Sequence, residues 1–361
     1  MKTQQLEVTT APQGPSTKVE SHAIYAALIG GAIGFVLGLW VFAGGDVSLF
    51  ERGISLGFVI AILGGVLALA TYLIVDSKRI DSDKSETKST WLYITNHIDT
   101  WALALVHGLL GFLVYALLFY IVGQSFIGAK LDVWSSSVLT ALAAGFACYV
   151  TYLSAKQMNA VRVSVLLAAF LLSGTFISML TASNPHWWYY HFSSLGANGG
   201  ISAYAFNATL IIAGLVVVAL SKYITNDFVK LYDKDTAINK ARRIIFQTLL
   251  SGIGIAFALV GAFVYDAFPL IHNTAAGGMA VLFLLIIVPL PWLMPKFHRA
   301  YYLASYLLLA ALVVSVWLFA SVKYFNLTVF ELVAAAIIFT WLVVFVRNLA
   351  ALLDDDKKVL S

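Results

Sequence analysis

The chain has 361 residues, 61% of them hydrophobic and only 11% charged, with a mean hydropathy of +0.89. A water-soluble domain carries about 25% charged residues, so this composition excludes an ordinary soluble globular protein and points to lipid as the solvent. The net charge of +4 becomes informative only when the charges are placed along the chain.

Residues 1–22 are polar and rich in Pro, Ser and Thr. They lack the short apolar core and small-residue cleavage site of a secretory signal. The expectation is a disordered cytoplasmic tail ahead of a retained first span. A transmembrane helix needs roughly 17–25 mostly apolar residues, and ten stretches qualify. In chain order they are 23–44, 54–75, 100–122, 133–155, 160–182, 201–223, 244–265, 274–294, 299–320 and 328–350. Residues 351–361 form a short polar tail.

The basic residues test the count. Cytoplasmic loops of polytopic proteins are enriched in Lys and Arg. With ten spans and an inside N-terminus, the outer segments hold only Arg52, Lys130 and Lys323, and the other 19 of the 22 basic residues fall inside. Adding or removing one span would scramble that alternation. The predicted fold is therefore an all-α polytopic membrane bundle of ten helices, in the cell membrane, with both termini cytoplasmic. The longest interior connections, 76–99 and 222–243, mix both charge signs. "TNDFVKLYDKDTAINKARR" within the second has helix-compatible spacing. It reads either as a solvated connector that fixes topology or as a segment lying on anionic lipid headgroups.

Several classes drop out. There is no long hydrophilic domain to meet nucleic acid, and no GxxxxGK[ST] phosphate loop. The single cysteine, Cys148, permits no intrachain disulfide. His107 is the one histidine deep within a span, whereas a bis-histidine haem needs two on facing helices. No cofactor is expected. Membrane lipids and a small-molecule ligand are the expected partners, and no stretch specifies an oligomeric state.

Polar chemistry concentrates in two outer loops, neither of which contains Lys or Arg. The first is "SNPHWWYYHFSSLGANGG", Ser183 to Gly200. Trp187, Trp188, Tyr189 and Tyr190 read as an interfacial aromatic belt, which leaves His186, His191 and the glycine-rich turn unexplained. A glycine turn feeding a helix N-terminus offers backbone N–H groups to an anion, although plain turn chemistry accounts for the same residues. The second loop, "GAFVYDAFPLIHNTAAGG", carries Asp266 and His272. Imidazole and carboxylate suit metal binding or acid–base work, yet no tight ligand spacing such as HxxxH occurs, and no metal is assigned. Asn207, about two turns into span six, reads either as the floor of a site beneath His191 or as interhelical hydrogen-bond glue. Gln247 and Glu331 are the other polar groups placed within spans seven and ten.

Two segments add a resemblance. "HFSSLGANGGISAYAFNATLIIAGL" and "VGAFVYDAFPLIHNTAAGGMAVLF" resemble the two signature stretches of bacterial membrane proteins catalogued as domain of unknown function 998. The resemblance implies a six-span domain over residues 160–350, with residues 23–155 as an added four-helix unit. It maps Ser194, Leu195, Gly196, Phe206, Asn207, Asp266 and His272 onto the family pattern. The family looks distantly like eukaryotic autophagy-modulator and lipid-homeostasis membrane proteins, which implies a lipid-related role.

The leading expectation is a non-enzymatic protein binding a lipid or small ligand at an outer site built from His186, His191, Ser194, Gly196, Asn207, Asp266 and His272. A transporter is the first alternative, suggested by many small residues and the proline-broken "VPLPWLMP" in span eight. A lipid-modifying membrane enzyme is the second, with Ser193 or Ser194 as nucleophile and a histidine as base. No catalytic residue is assigned.

Overall fold

The computed structural model describes residues 16–51, 53–83, 90–197, 199–232 and 236–360. Among these the long helices are α1 (Thr17–Val41), α2 (Leu56–Asp83), α3 (Thr90–Ser125), α4 (Val133–Lys156), α5 (Ala160–Leu180), α6 (Gly200–Leu231), α7 (Ala237–Ala262) and α8 (Pro269–Ile287). A single turn, α9 (Leu290–Leu293), precedes α10 (Arg299–Ala320) and α11 (Leu327–Leu360). Strands β1 (Val47–Ser48) and β2 (Lys130–Leu131) pair antiparallel. Ten of the helices are long and apolar enough to cross a membrane, as the hydropathy pattern predicts.

The helices outlast the apolar stretches. α1 starts at Thr17 under a Ser16 cap, so residues 17–22 of the expected disordered tail are helical, and residues 1–15 lie outside the described residues. At the other end α11 carries helix through the expected polar tail to Leu360. The connections expected at 76–99 and 222–243 are likewise mostly helix, since α2, α3, α6 and α7 run on into them. Polar residues with good helix propensity continue a helix beyond the hydrocarbon without cost, because water satisfies their side chains. Side-chain oxygens mark several starts: Asp132 accepts from the amides of Trp134 (2.9 Å) and Ser135 (3.1 Å), and Asn159 from Arg162 (2.9 Å).

The chain divides into two compact units, Met1–Ser85 with His107–Gln157, and Glu86–Val106 with Met158–Ser361. In the first, α1 and α4 approach through small residues. Gly30, Gly34 and Gly38, four apart and on one face, lie against Cys148, Ala144 and Ser137. A Cβ at Gly34 would stand 2.7 Å from that of Ala144 and 2.8 Å from the Thr140 carbonyl. In lipid no hydrophobic force pushes helices together, so close backbone approach and dispersion do it. Deeper in this unit His107 stacks on Tyr72 (4.6 Å) and bonds Ser154 Oγ through Nε2 (2.9 Å), and the Tyr115 hydroxyl donates to the Ala143 carbonyl (2.6 Å). The deep histidine is thus absorbed into packing between α2, α3 and α4.

In the second unit α6 is central, flanked by α5 and α7. Gly214 and Gly254 bring α6 and α7 into backbone contact, and a Cβ at Gly214 would lie 2.4 Å from the Gly254 carbonyl. On the far side of α7 an aromatic core joins it to α8 and α11: Phe283 meets Trp341 edge-on (5.3 Å), and Phe246 stacks on Phe345 (4.9 Å). Trp341 Nε1 donates to Ser305 of α10 (3.0 Å). Span eight breaks at Val288–Pro289, within the proline-rich VPLPWLMP stretch. Pro289 and Pro291 remove N–H donors from this stretch, and α10 supplies hydroxyl donors to carbonyls around the break: Tyr306 donates to that of Val288 (3.2 Å) and Tyr302 to that of Met294 (2.7 Å). At the opposite end from the two Lys/Arg-free loops, Lys222 of α6 forms an ion pair with Asp99 of α3.

Candidate functional site

The loop between α5 and α6 folds as two 3-10 turns, Trp187–Tyr189 and Phe192–Gly196. The Asn184 carboxamide starts the first by accepting the His186 amide (2.9 Å). Ser194 Oγ donates to the Trp187 carbonyl (3.2 Å) and so ties one turn to the other. Gly199 and Gly200 close the loop in left-handed conformations (φ 67° and 72°), where a side chain would be strained. Asn207 Nδ2 reaches back from α6 to the Gly196 carbonyl (3.0 Å). Gly196 is glycine because a Cβ there would fall 2.3 Å from Asn207 Oδ1. Asn207 thus ties its helix to the loop that precedes it.

α11 holds the same loop from the side. Asn326, just before that helix, donates to the Trp188 carbonyl (3.2 Å), and the Glu331 carboxylate accepts the Phe192 amide. Phe192 then packs edge-on against Phe206 (5.2 Å) and near Trp187 (6.1 Å), above a core of Leu195, Leu210, Val260 and Ala275.

The second loop brings its polar residues to this one. His191 packs on the Tyr265 ring (4.8 Å between centroids), and His272 meets the same ring edge-on (5.8 Å). His272 Nδ1 faces the Phe263 carbonyl at 2.9 Å. A carbonyl only accepts, so Nδ1 carries the proton and, in the neutral ring, Nε2 is left as an acceptor. His191 Nδ1 lies 2.9 Å from Ser193 Oγ. Burial holds the His191 imidazole below its ordinary pKa. The Asp266 carboxylate acts against that shift, and His272 adds to it. Asp266 itself is exposed.

Residues 165–348 match the family described as protein of unknown function, DUF998. The chain belongs to that family. No curated protein and no solved structure matches it. The DUF998 segment begins within α5 and ends within α11, so it contains both loops and the Asn326–Glu331 clasp.

Within this DUF998 domain His191, Asp266 and His272 gather around Tyr265. Gly196, Asn207 and Ser194 lock the loop through the contacts above. His186 stands apart, exposed and stacked on Tyr189 (5.7 Å). The space at the start of α6, lined by Ser183, Asn184, Trp187, Ser194 and Ser202, measures about 10 Å³, room for one water at most. Ser193 has the histidine contact that a nucleophile needs, yet its hydroxyl is buried and the bond closes a two-residue turn. Among the described residues no three His, Cys, Asp or Glu side chains form a metal-binding group. Tyr265 takes its place between two histidines only through folding, and nothing in the sequence around Glu331 marks its bond to the loop 139 positions away.

Proposed function

We propose that this integral membrane protein binds a lipid headgroup or small polar ligand at the surface formed by His191, Tyr265 and Asp266, with His272 buried against Tyr265, and with no chemical step. By the distribution of Lys and Arg this surface faces the outside of the cell membrane and both termini face the cytoplasm. The observation that carries the reading is the convergence of two histidine rings on Tyr265 beside an exposed carboxylate. Both loops lack Lys and Arg, and a carboxylate among aromatic rings suits a neutral or cationic group, such as the amine of a zwitterionic headgroup. The rigid clasp from α11 supports a surface held ready for its ligand, which lowers the ordering cost of binding.

The test is binding of phosphatidylethanolamine and phosphatidylcholine to the full chain in nanodiscs, compared with a variant carrying His191→Ala, Asp266→Ala and His272→Ala. The reading predicts at least about a tenfold loss of headgroup preference, the equivalent of one good polar contact. A folded triple variant that retains the wild-type preference would overturn it.

A further inference from the structure

At the opposite end of α7 from the histidine surface, the segment noted for its mixed charge builds a second polar cluster. Arg242 sits in the second turn of α7, half-buried, with its guanidinium 5.5 Å from the centre of the Trp292 ring in α9. Its one hydrogen bond runs from a terminal nitrogen to Asn239 Oδ1 (3.1 Å). Its Nε is shut off from solvent and meets no acceptor. Among the described residues no carboxylate pairs with it.

Tyr232, at the end of α6, completes the cluster. Its hydroxyl oxygen accepts the Lys296 amide (3.2 Å), and the Lys296 ammonium stands 5.5 Å from its ring centre while donating to the Leu231 carbonyl (2.6 Å). The Tyr232 hydroxyl proton finds no acceptor among the described residues, and burial pushes its pKa up, so it remains a donor. The cluster thus presents a guanidinium with donors to spare and a phenol proton, beside the Lys296 ammonium held on the Leu231 carbonyl and exposed Trp292 at the level of an interfacial aromatic.

We propose that Arg242, Tyr232, Lys296 and Trp292 form a binding site for the phosphodiester of an anionic lipid headgroup. A half-buried cation that meets no counter-charge among the described residues gains from an anion that reaches it. The forked guanidinium fits two phosphate oxygens at once, whereas an ammonium supplies a point charge. The site lies at the Lys/Arg-rich end of the helices, where basic residues meet the anionic leaflet. It is independent of the histidine surface.

The experiment places the full chain in phosphatidylcholine nanodiscs with and without phosphatidylglycerol and counts lipids retained on release into detergent by native mass spectrometry. Wild type is expected to keep phosphatidylglycerol over phosphatidylcholine. Arg242→Gln should weaken that retention about tenfold, the loss of one charge-assisted contact. Arg242→Lys, which preserves charge and stem, should fall between and carries the test if the glutamine variant does not fold. Lys323→Gln, at the other end of the unit, should match wild type. Unchanged retention in both Arg242 variants, or equal retention of the two lipids by wild type, would overturn the proposal. So would displacement of phosphatidylglycerol by inorganic phosphate at equal concentration, which would make the site one for the free ion.

Discussion

Gly196 and Asn207 show how a single contact decides the shape of the loop. The carboxamide occupies the space where any side chain at position 196 would sit. Gly196→Ala should therefore destabilise the folded protein by about 1–3 kcal/mol, the usual cost of overpacking. Asn207→Ala should cost about 1 kcal/mol for its hydrogen bond. The double variant should cost less than the two added, because removing the carboxamide removes the clash; thermal unfolding in detergent reads all three. His191 gives a pH signature with a definite sign. Its folded pKa lies below the ordinary 6.5, so above that value both folded and unfolded states are neutral and the ring contributes its full stability. As pH falls below 6.5 the unfolded chain takes up the proton first, and stability drops until the folded pKa is passed. His191→Gln should flatten this dependence. Asp266→Asn should lower the folded pKa further, as followed by the imidazole NMR signal. The residues of this site were only half legible beforehand. Histidine and aspartate in basic-free loops attract notice by type, whereas Tyr265 and Glu331 matter through partners that only folding supplies.

Elements were more legible, because a helix in lipid must be long, apolar and internally hydrogen-bonded, and those demands leave a direct trace in composition. The ends were less so, since a capped helix runs on into water with nothing in hydropathy to mark where it stops, as Ser16 and the extension of α11 illustrate. Partner choice was hidden too: the spacing of Gly30, Gly34 and Gly38 declares a close face, but not that α4 fills it. The Lys222–Asp99 pair fixes α3 against α6 and is a test at this scale. Their side chains retain 23% and 10% exposure. Lys222→Met removes this cation from a mostly buried carboxylate and should destabilise the fold by about 1–3 kcal/mol. Adding Asp99→Leu should recover most of that loss in the same unfolding measurement.

For the whole molecule, the distribution of basic residues predicts orientation. In a Cys148→Ser background, single cysteines replacing Lys130 or Lys323 should react with a membrane-impermeant maleimide added to intact cells. A cysteine replacing Lys357 should react only after lysis. The reverse pattern would invert the bundle and exchange the faces of both proposed sites. The clasp from α11 has a consequence for the order in which the molecule can mature. Residues 188–192 leave the ribosome long before Asn326 and Glu331, so while the chain is being made the loop lacks two of its anchors. Those two hydrogen bonds can form only once α11 is in place, so the loop is completed late and from the far end of the chain.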